Sequence, residues 1–162
     1  MKKKILTAQQ ASLLGKEMRE NRRKLVFTNG CFDLLHAGHV RYLEAARGLG
    51  DALLVAINGD ESVRALKGEG RPLNHAADRA EVIAALECVD HVVIFPEVRA
   101  TTLLETVRPE IYVKGGDYTK STLDAEERAA LERIGAEIRI LPFAAGHSTS
   151  RLLEKIKEQD GA

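Results

Sequence analysis

The chain has 162 residues, of which 44% are hydrophobic and 30% charged, and its 24 Lys plus Arg are matched by 24 Asp plus Glu. That length suits one domain, taken here as 1–162, and buries enough surface to fold without disulfides or a structural metal. A formal net charge of zero argues against a general nucleic-acid binder, which carries a basic excess, and the longest apolar runs are too short to span a bilayer.

The basic start, Met1-Lys2-Lys3-Lys4-Ile5-Leu6, leads into no apolar signal core, and Cys31 and Cys88 are too far apart for a knuckle or redox motif. A cytoplasmic protein with reduced thiols is expected. Thr7 and Gln10 form a capping-box pattern, and Ala11, Leu13, Leu14 and Met18 give an apolar stripe, so a helix is predicted within 1–22. An α/β core is expected over 24–157. Its first strand covers 24–29, and a helix over 38–47 ends at Gly48 and Gly50. The run over 51–58 reads as a buried strand, followed by a short helix over 60–66 capped by Asp60. A Gly-rich loop over 67–74 precedes a helix over 77–86. Strands over 92–95, 111–113 and 137–141 alternate with helices over 101–107, 124–134 and 148–157. Strands apolar on both faces and separated by helices imply an α/β fold, a doubly wound sheet of five parallel strands. Ligands of such sheets bind beyond the carboxyl ends of the strands, here after Asn29, Asn58, Val113 and Leu141.

The strongest chemical signal is Gly30-Cys31-Phe32-Asp33-Leu34-Leu35-His36-Ala37-Gly38-His39. Gly30 is expected to permit the turn from strand to helix. His36 and His39, three apart at a helix start, can face the same way, and Gly38 lets a phosphate approach the backbone. Free N–H groups and the positive dipole end suit an anion there. Two imidazoles donating to phosphoryl oxygens would stabilise a phosphoryl-transfer transition state. Two other readings remain: histidines that satisfy local hydrogen bonds, and a zinc site from Cys31, Asp33, His36 and His39.

Three further segments carry polar groups to the same sheet edge. Lys67-Gly68-Glu69-Gly70-Arg71-Pro72, with Arg79 beyond, can hold phosphates or is a solvated loop. In Lys114-Gly115-Gly116-Asp117-Tyr118, Lys114 can reach a phosphate and Asp117 a ribose or sugar hydroxyl, or the segment is a tight turn. Gly146-His147-Ser148-Thr149-Ser150 opens the last helix, where Ser148 or Thr149 is an ordinary N-cap or, with the free N–H groups, a phosphate site.

Together these segments resemble the HxGH nucleotidyltransferase superfamily, whose motif follows a strand reading roughly G-x-F-D. Within it the chain is similar to the adenylyltransferases acting on D-glycero-β-D-manno-heptose 1-phosphate, often the C-terminal domain of a bifunctional heptose kinase/adenylyltransferase. The likeness runs through 27–35 with the histidines, 56–74, 113–118 and 143–150. Cytidylyltransferases for glycerol 3-phosphate usually read G-D-D-W where this chain has Gly115-Gly116-Asp117-Tyr118, and commonly lack the leading helix. Ser150 stands where the family often has a second threonine.

The resemblance implies a Rossmann-like fold with an added N-terminal helix. It implies catalytic roles for His36, His39 and Lys114. Nucleotide contacts fall to Cys31, Phe32, Gly38, Arg79, Gly116, Asp117, Gly146, Ser148, Thr149 and Ser150, and substrate contacts to Asp33, Lys67 and Arg71. ATP is the expected donor, with Mg²⁺ carried on its triphosphate and no protein metal cage. A homo-oligomer, at least a dimer, is expected, and a separate kinase would make the sugar 1-phosphate. No nucleic-acid or membrane partner is expected. A cytidylyltransferase for a polyol phosphate, and a non-catalytic sensor of ATP or an ADP-sugar, stand as alternatives. The attacking phosphate is already an anion, so no strong general base is required.

Overall fold

The computed structural model describes residues 2–116, 119, 121–142 and 148–160, apart from the side chains of Lys2 and Asp160. A 3-10 turn, Lys2–Lys4, leads into a short strand β1 (Ile5–Leu6), and helix α1 (Ala8–Glu20) follows. Thr7 caps α1 as its sequence suggests: its Oγ1 accepts from the Gln10 N–H at 3.2 Å, and Gln10 Oε1 accepts from the Thr7 N–H at 2.9 Å. The chain then alternates through β2 (Leu25–Gly30), α2 (Ala37–Arg47), β3 (Ala52–Asn58), α3 (Asp60–Lys67), α4 (Ala76–Ala84), β4 (His91–Phe95), α5 (Thr101–Val107), β5 (Ile111–Gly115), α6 (Ala125–Ile134), β6 (Glu137–Leu141) and α7 (Thr149–Asp160).

The sheet has six parallel strands in the order β1-β4-β3-β2-β5-β6, not five. The additional strand is β1, which lies along the edge of β4 with Ile5 opposite Val92. Alternate residues of the inner strands feed two apolar layers. Leu25, Phe27, Leu54, Val93 and Tyr112 pack with α1, α5 and α6 through Met18, Leu104 and Leu131. Val26, Leu53, Val55, Val92 and Val113 pack on the other face with α2 and α4 through Leu43, Ala46 and Ile83. The added helix α1 fits closely: a Cβ on Gly15 would come within 1.9 Å of the Val107 carbonyl. Among the described residues no helix is long and apolar enough to cross a membrane.

The winding reverses at β2, which pairs with β3 on one side and β5 on the other. A crevice must open there beyond the carboxyl ends, because the connections leave toward opposite edges. Gly30 and Gly115 end the two strands that flank it.

Candidate active site

The crevice is a cavity of about 520 Å³. Of the residues singled out by sequence, Cys31, Phe32, Asp33, His39, Lys67, Arg71, Lys114, Thr149 and Ser150 line it. His36, Gly38, Arg79, Gly116 and Ser148 lie outside that lining. Asp117 and Gly146, like Tyr118 and His147, fall outside the described residues.

The turn from β2 into α2 is built differently from the sequence expectation. Phe32, not Gly30, takes the left-handed conformation, with φ at 47°. Gly30 instead makes room for the Phe32 ring, whose Cε2 would lie 3.0 Å from an added Cβ. A bulky residue at positive φ is strained and is held only by its surroundings. The ring is buried and packs on His39 with centroids 5.6 Å apart. His36 is the N-cap of α2, and its carbonyl accepts from the N–H of His39 at 3.0 Å. The two imidazoles lie against each other with centroids 3.9 Å apart and planes tilted by 30°. Burial, reinforced by His36, lowers the His39 pKa to about 4, so this imidazole is neutral at pH 7. Tyr42, one turn on, anchors the helix across the switch point: its hydroxyl shares a 2.7 Å hydrogen bond with Thr28 and donates to the Val113 carbonyl at 3.1 Å.

Asp33 and Arg79 are both engaged in contacts within the chain. The Asp33 carboxylate accepts from Arg71 Nε at 2.8 Å and from the N–H groups of Leu73 and Asn74 at 2.8 and 3.0 Å. Burial works against its charge, but these donors outweigh it and hold the carboxyl below its ordinary range. Arg79 is 2% exposed and donates to the Asn74 carbonyl, the Cys31 carbonyl and Asp60. Both side chains therefore brace the basic loop against the motif, with Arg71 held at the cavity that Lys67 also lines. Cys31 in the lining has a raised pKa, because burial outweighs the nearby Lys67, Arg79 and Arg71.

Strand β5 runs two residues past its predicted end, so Lys114 and Gly115 are its last members. Gly116, at φ 88°, follows the strand and donates to the Leu141 carbonyl. At α7, Ser148 Oγ caps the helix by accepting from the Arg151 N–H at 3.1 Å. Thr149 Oγ1 donates to the Leu34 carbonyl at 3.1 Å and so ties α7 to the motif loop. Among the described residues no three His, Cys, Asp or Glu are grouped to hold a metal, which leaves the zinc reading of Cys31, Asp33, His36 and His39 without support.

A model of the cytidylyltransferase-like family matches residues 27–155. The chain belongs to this family. Family membership makes it a nucleotidyltransferase, and the matched span runs from the middle of β2 into α7. It is 52% identical over 134 residues to the bifunctional protein HldE of Citrifermentans bemidjiense, covering 83% of this chain and 27% of that one. The HldE of Geotalea uraniireducens is 51% identical over 135 residues, with the same shares. The chain thus spans only 27% of the length of these relatives. Among solved structures, a lipopolysaccharide core biosynthesis protein from Thermoplasma volcanium superposes with a TM-score of 0.61 at 28% identity, over 75% of this chain and 97% of that one.

Sequence reasoning missed several lining residues: Asn29, Tyr42, Asn58, Arg99 and Glu127 among them. The strand-end rule pointed to the positions of Asn29 and Asn58 without giving them a task. Nothing local marked Arg99 or Glu127.

Proposed function

We propose that the chain is an adenylyltransferase that moves AMP from ATP to D-glycero-β-D-manno-heptose 1-phosphate, giving ADP-heptose and pyrophosphate. The observation that carries this reading is the closely packed His36–His39 pair at the N-terminus of α2, at a cavity lined by His39, Lys67, Arg71 and Lys114. The sugar comes from the likeness to HldE proteins, and it accords with the lipopolysaccharide role named for the superposed structure. ADP-heptose would then serve as a lipopolysaccharide precursor.

In this reading a phosphate oxygen of the sugar attacks the α-phosphorus of ATP. The bond from that phosphorus to the bridging oxygen breaks, and pyrophosphate leaves with the electron pair. The attacking oxygen carries no proton to remove, so a site without a base dyad suffices. Negative charge grows on the leaving pyrophosphate and on the α-phosphoryl oxygens. His36 and His39 donate hydrogen bonds there, and the α2 dipole adds to them. Lys114 follows the charge, while Lys67 and Arg71 hold the sugar phosphate, with Asp33 and Arg79 acting through that loop. Cys31, Phe32, Gly38 and Gly116, with Thr149, Ser150 and the free N–H groups of α7, border the nucleotide. The basic lining suits a triphosphate, and Mg²⁺ would arrive bound to it and offset its charge. The sugar 1-phosphate would come from a separate kinase, and the working form would be a homo-oligomer in the cytoplasm.

The test is pyrophosphate release with ATP or CTP against heptose 1-phosphate and glycerol 3-phosphate. ATP with the heptose phosphate should be the best pair. Preference for CTP with glycerol 3-phosphate would replace this reading with that of a polyol-phosphate cytidylyltransferase.

A further inference from the structure

One part of the cavity wall does not suit phosphate. Glu127 is only 4% exposed yet lines the cavity, and its carboxylate would repel a phosphate brought beside it. Its position is fixed from three sides. Asp124 caps α6 by accepting from the N–H groups of Glu126 and Glu127 at 3.0 and 3.1 Å. Glu127 Oε1 accepts from the Ala100 N–H at 2.9 Å. Its Oε2 faces the Tyr112 hydroxyl at 3.5 Å, while that hydroxyl donates to Asn29 Oδ1 at 2.9 Å. Arg99, the nearby cation in the same loop, pairs with Asp124 at 3.2 Å. Among the described residues Glu127 forms no ion pair.

Asn58 stands at the end of β3 and is 3% exposed. Its Nδ2 donates to the carbonyls of Glu97 and Val98 at 3.3 Å each, which commits the amide hydrogens and leaves Oδ1 as an acceptor. Glu127 and Asn58 thus grip the same loop, 97–100, and both line the cavity, as does Asn29. A carboxylate has about four acceptor directions. Glu127 uses two, one of them at a limiting distance. Buried acceptors left in this state ask for donors without negative charge, which describes the hydroxyl groups of a sugar.

Two hydroxylated groups could enter the cavity: the ribose of the nucleotide and the acceptor sugar. Asn58 and the loop after β4 lie on the β3 side of β2, as does the basic loop with Lys67 and Arg71, and Glu127 reaches the loop after β4 from α6 beside Tyr112 of β5. Thr149 of α7 is tied instead to Leu34 in the motif loop that carries the histidines. We infer that Glu127, with Asn58 and Asn29, forms the subsite that reads the hydroxyls of the acceptor sugar, and that Glu127 sets acceptor specificity. The inference rests on the acceptor being a sugar phosphate, as proposed above.

Glu127→Gln tests it, because glutamine keeps the volume and an oxygen for the Ala100 N–H but turns the second acceptor into a donor. The KM for heptose 1-phosphate should rise about 10- to 100-fold, the scale of one buried hydrogen-bonding group left unsatisfied. The KM for ATP and inhibition by methyl phosphate, which has no hydroxyl, should stay within about twofold. An unchanged KM for the heptose phosphate would overturn the inference, and so would an equal loss for methyl phosphate. A rise confined to ATP would assign Glu127 to the ribose instead and would equally overturn it. A second arm needs no variant: heptose 1-phosphates lacking one hydroxyl are compared on the unaltered chain. At least one deletion should cost about tenfold or more, and a uniform response would overturn the inference. If the chain uses glycerol 3-phosphate and not the heptose phosphate, the substrate reading fails separately. The same variant then compares glycerol 3-phosphate with methyl phosphate.

Discussion

Asp33 and Arg71 meet in a 2.8 Å ion pair whose carboxylate side chain is 1% exposed and whose guanidinium side chain is 19% exposed. The acid stands in the motif after β2, and the base in the Gly-rich loop 38 residues later. The pair therefore fixes where the basic loop stands relative to the histidines.

Breaking that pair should cost stability before it costs chemistry. Asp33→Asn keeps the shape but removes the charge that gathers Arg71, Leu73 and Asn74. A loss of about 1–3 kcal/mol is expected, the range for a buried hydrogen-bonded charge left without its partner. Urea unfolding at pH 7 measures it, and an unchanged midpoint would show that the brace is unimportant. Because the folded pKa lies below its ordinary value of 3.8, the contribution of Asp33 is present above that value. It fades as the pH falls through the lower, folded value. The difference between the two proteins should therefore shrink in acid.

The histidine pair carries the catalytic claim. His39→Ala should lower kcat by about two to four orders of magnitude, as loss of a transition-state donor does. ATP affinity should fall far less, because the remaining phosphate contacts persist. Steady-state kinetics with a direct ATP-binding measurement separates the two, and near-normal turnover would remove His39 from the mechanism.

The protonation state of His39 gives a spectroscopic prediction. Its folded pKa is near 4 and its ordinary value is 6.5. The unfolded chain therefore takes up this proton first as the pH falls. Stability linked to His39 is complete above pH 6.5 and drains away as the pH drops toward 4. Imidazole resonances of the nucleotide-free protein should show His39 titrating near pH 4, and a midpoint near 6.5 would contradict the half-buried position of His39 against His36. His39→Gln should lose less stability than the parent between pH 7 and pH 5.

How much of this was legible depended on whether the cause was local. The capping box of Thr7 and Gln10 and the unbroken apolar runs of β2 and β3 fixed those elements within a residue or so. Ile5 and Leu6 could not announce β1, because two residues show no alternation and only the exposed edge of β4 makes them a strand. The HxGH motif is contiguous, so its chemistry could be read directly. The partnership of Asp33 with Arg71 is a long-range contact, and the fold alone creates it. Glu126 and Glu127 look alike in an acidic helix start, yet one is exposed and the other buried. The packing of α6 near Tyr112 and Ala100 makes that distinction, and no period in the sequence carries it.

Lys114 separates catalysis from binding. It is next to last in β5, beside the switch point, and it lines the cavity. An ammonium on a flexible stem can move with charge as it passes to the leaving pyrophosphate. If it does so, removing it should lower kcat and kcat/KM together by about 10- to 1000-fold, the mark of an interaction made in the transition state. If it only holds a ground-state phosphate, KM should rise with kcat unchanged. Lys114→Met keeps the apolar stem, so packing is little disturbed. Lys67→Met is the matched control: it stands at the end of α3 in the basic loop and is exposed, and it should affect mainly the KM of the sugar phosphate. Both variants are measured at saturating ATP with varied sugar phosphate. The expected result is a split, with kcat falling in Lys114→Met and KM rising in Lys67→Met. An unchanged kcat in Lys114→Met would leave the histidines as the transition-state donors and make Lys114 a binding residue.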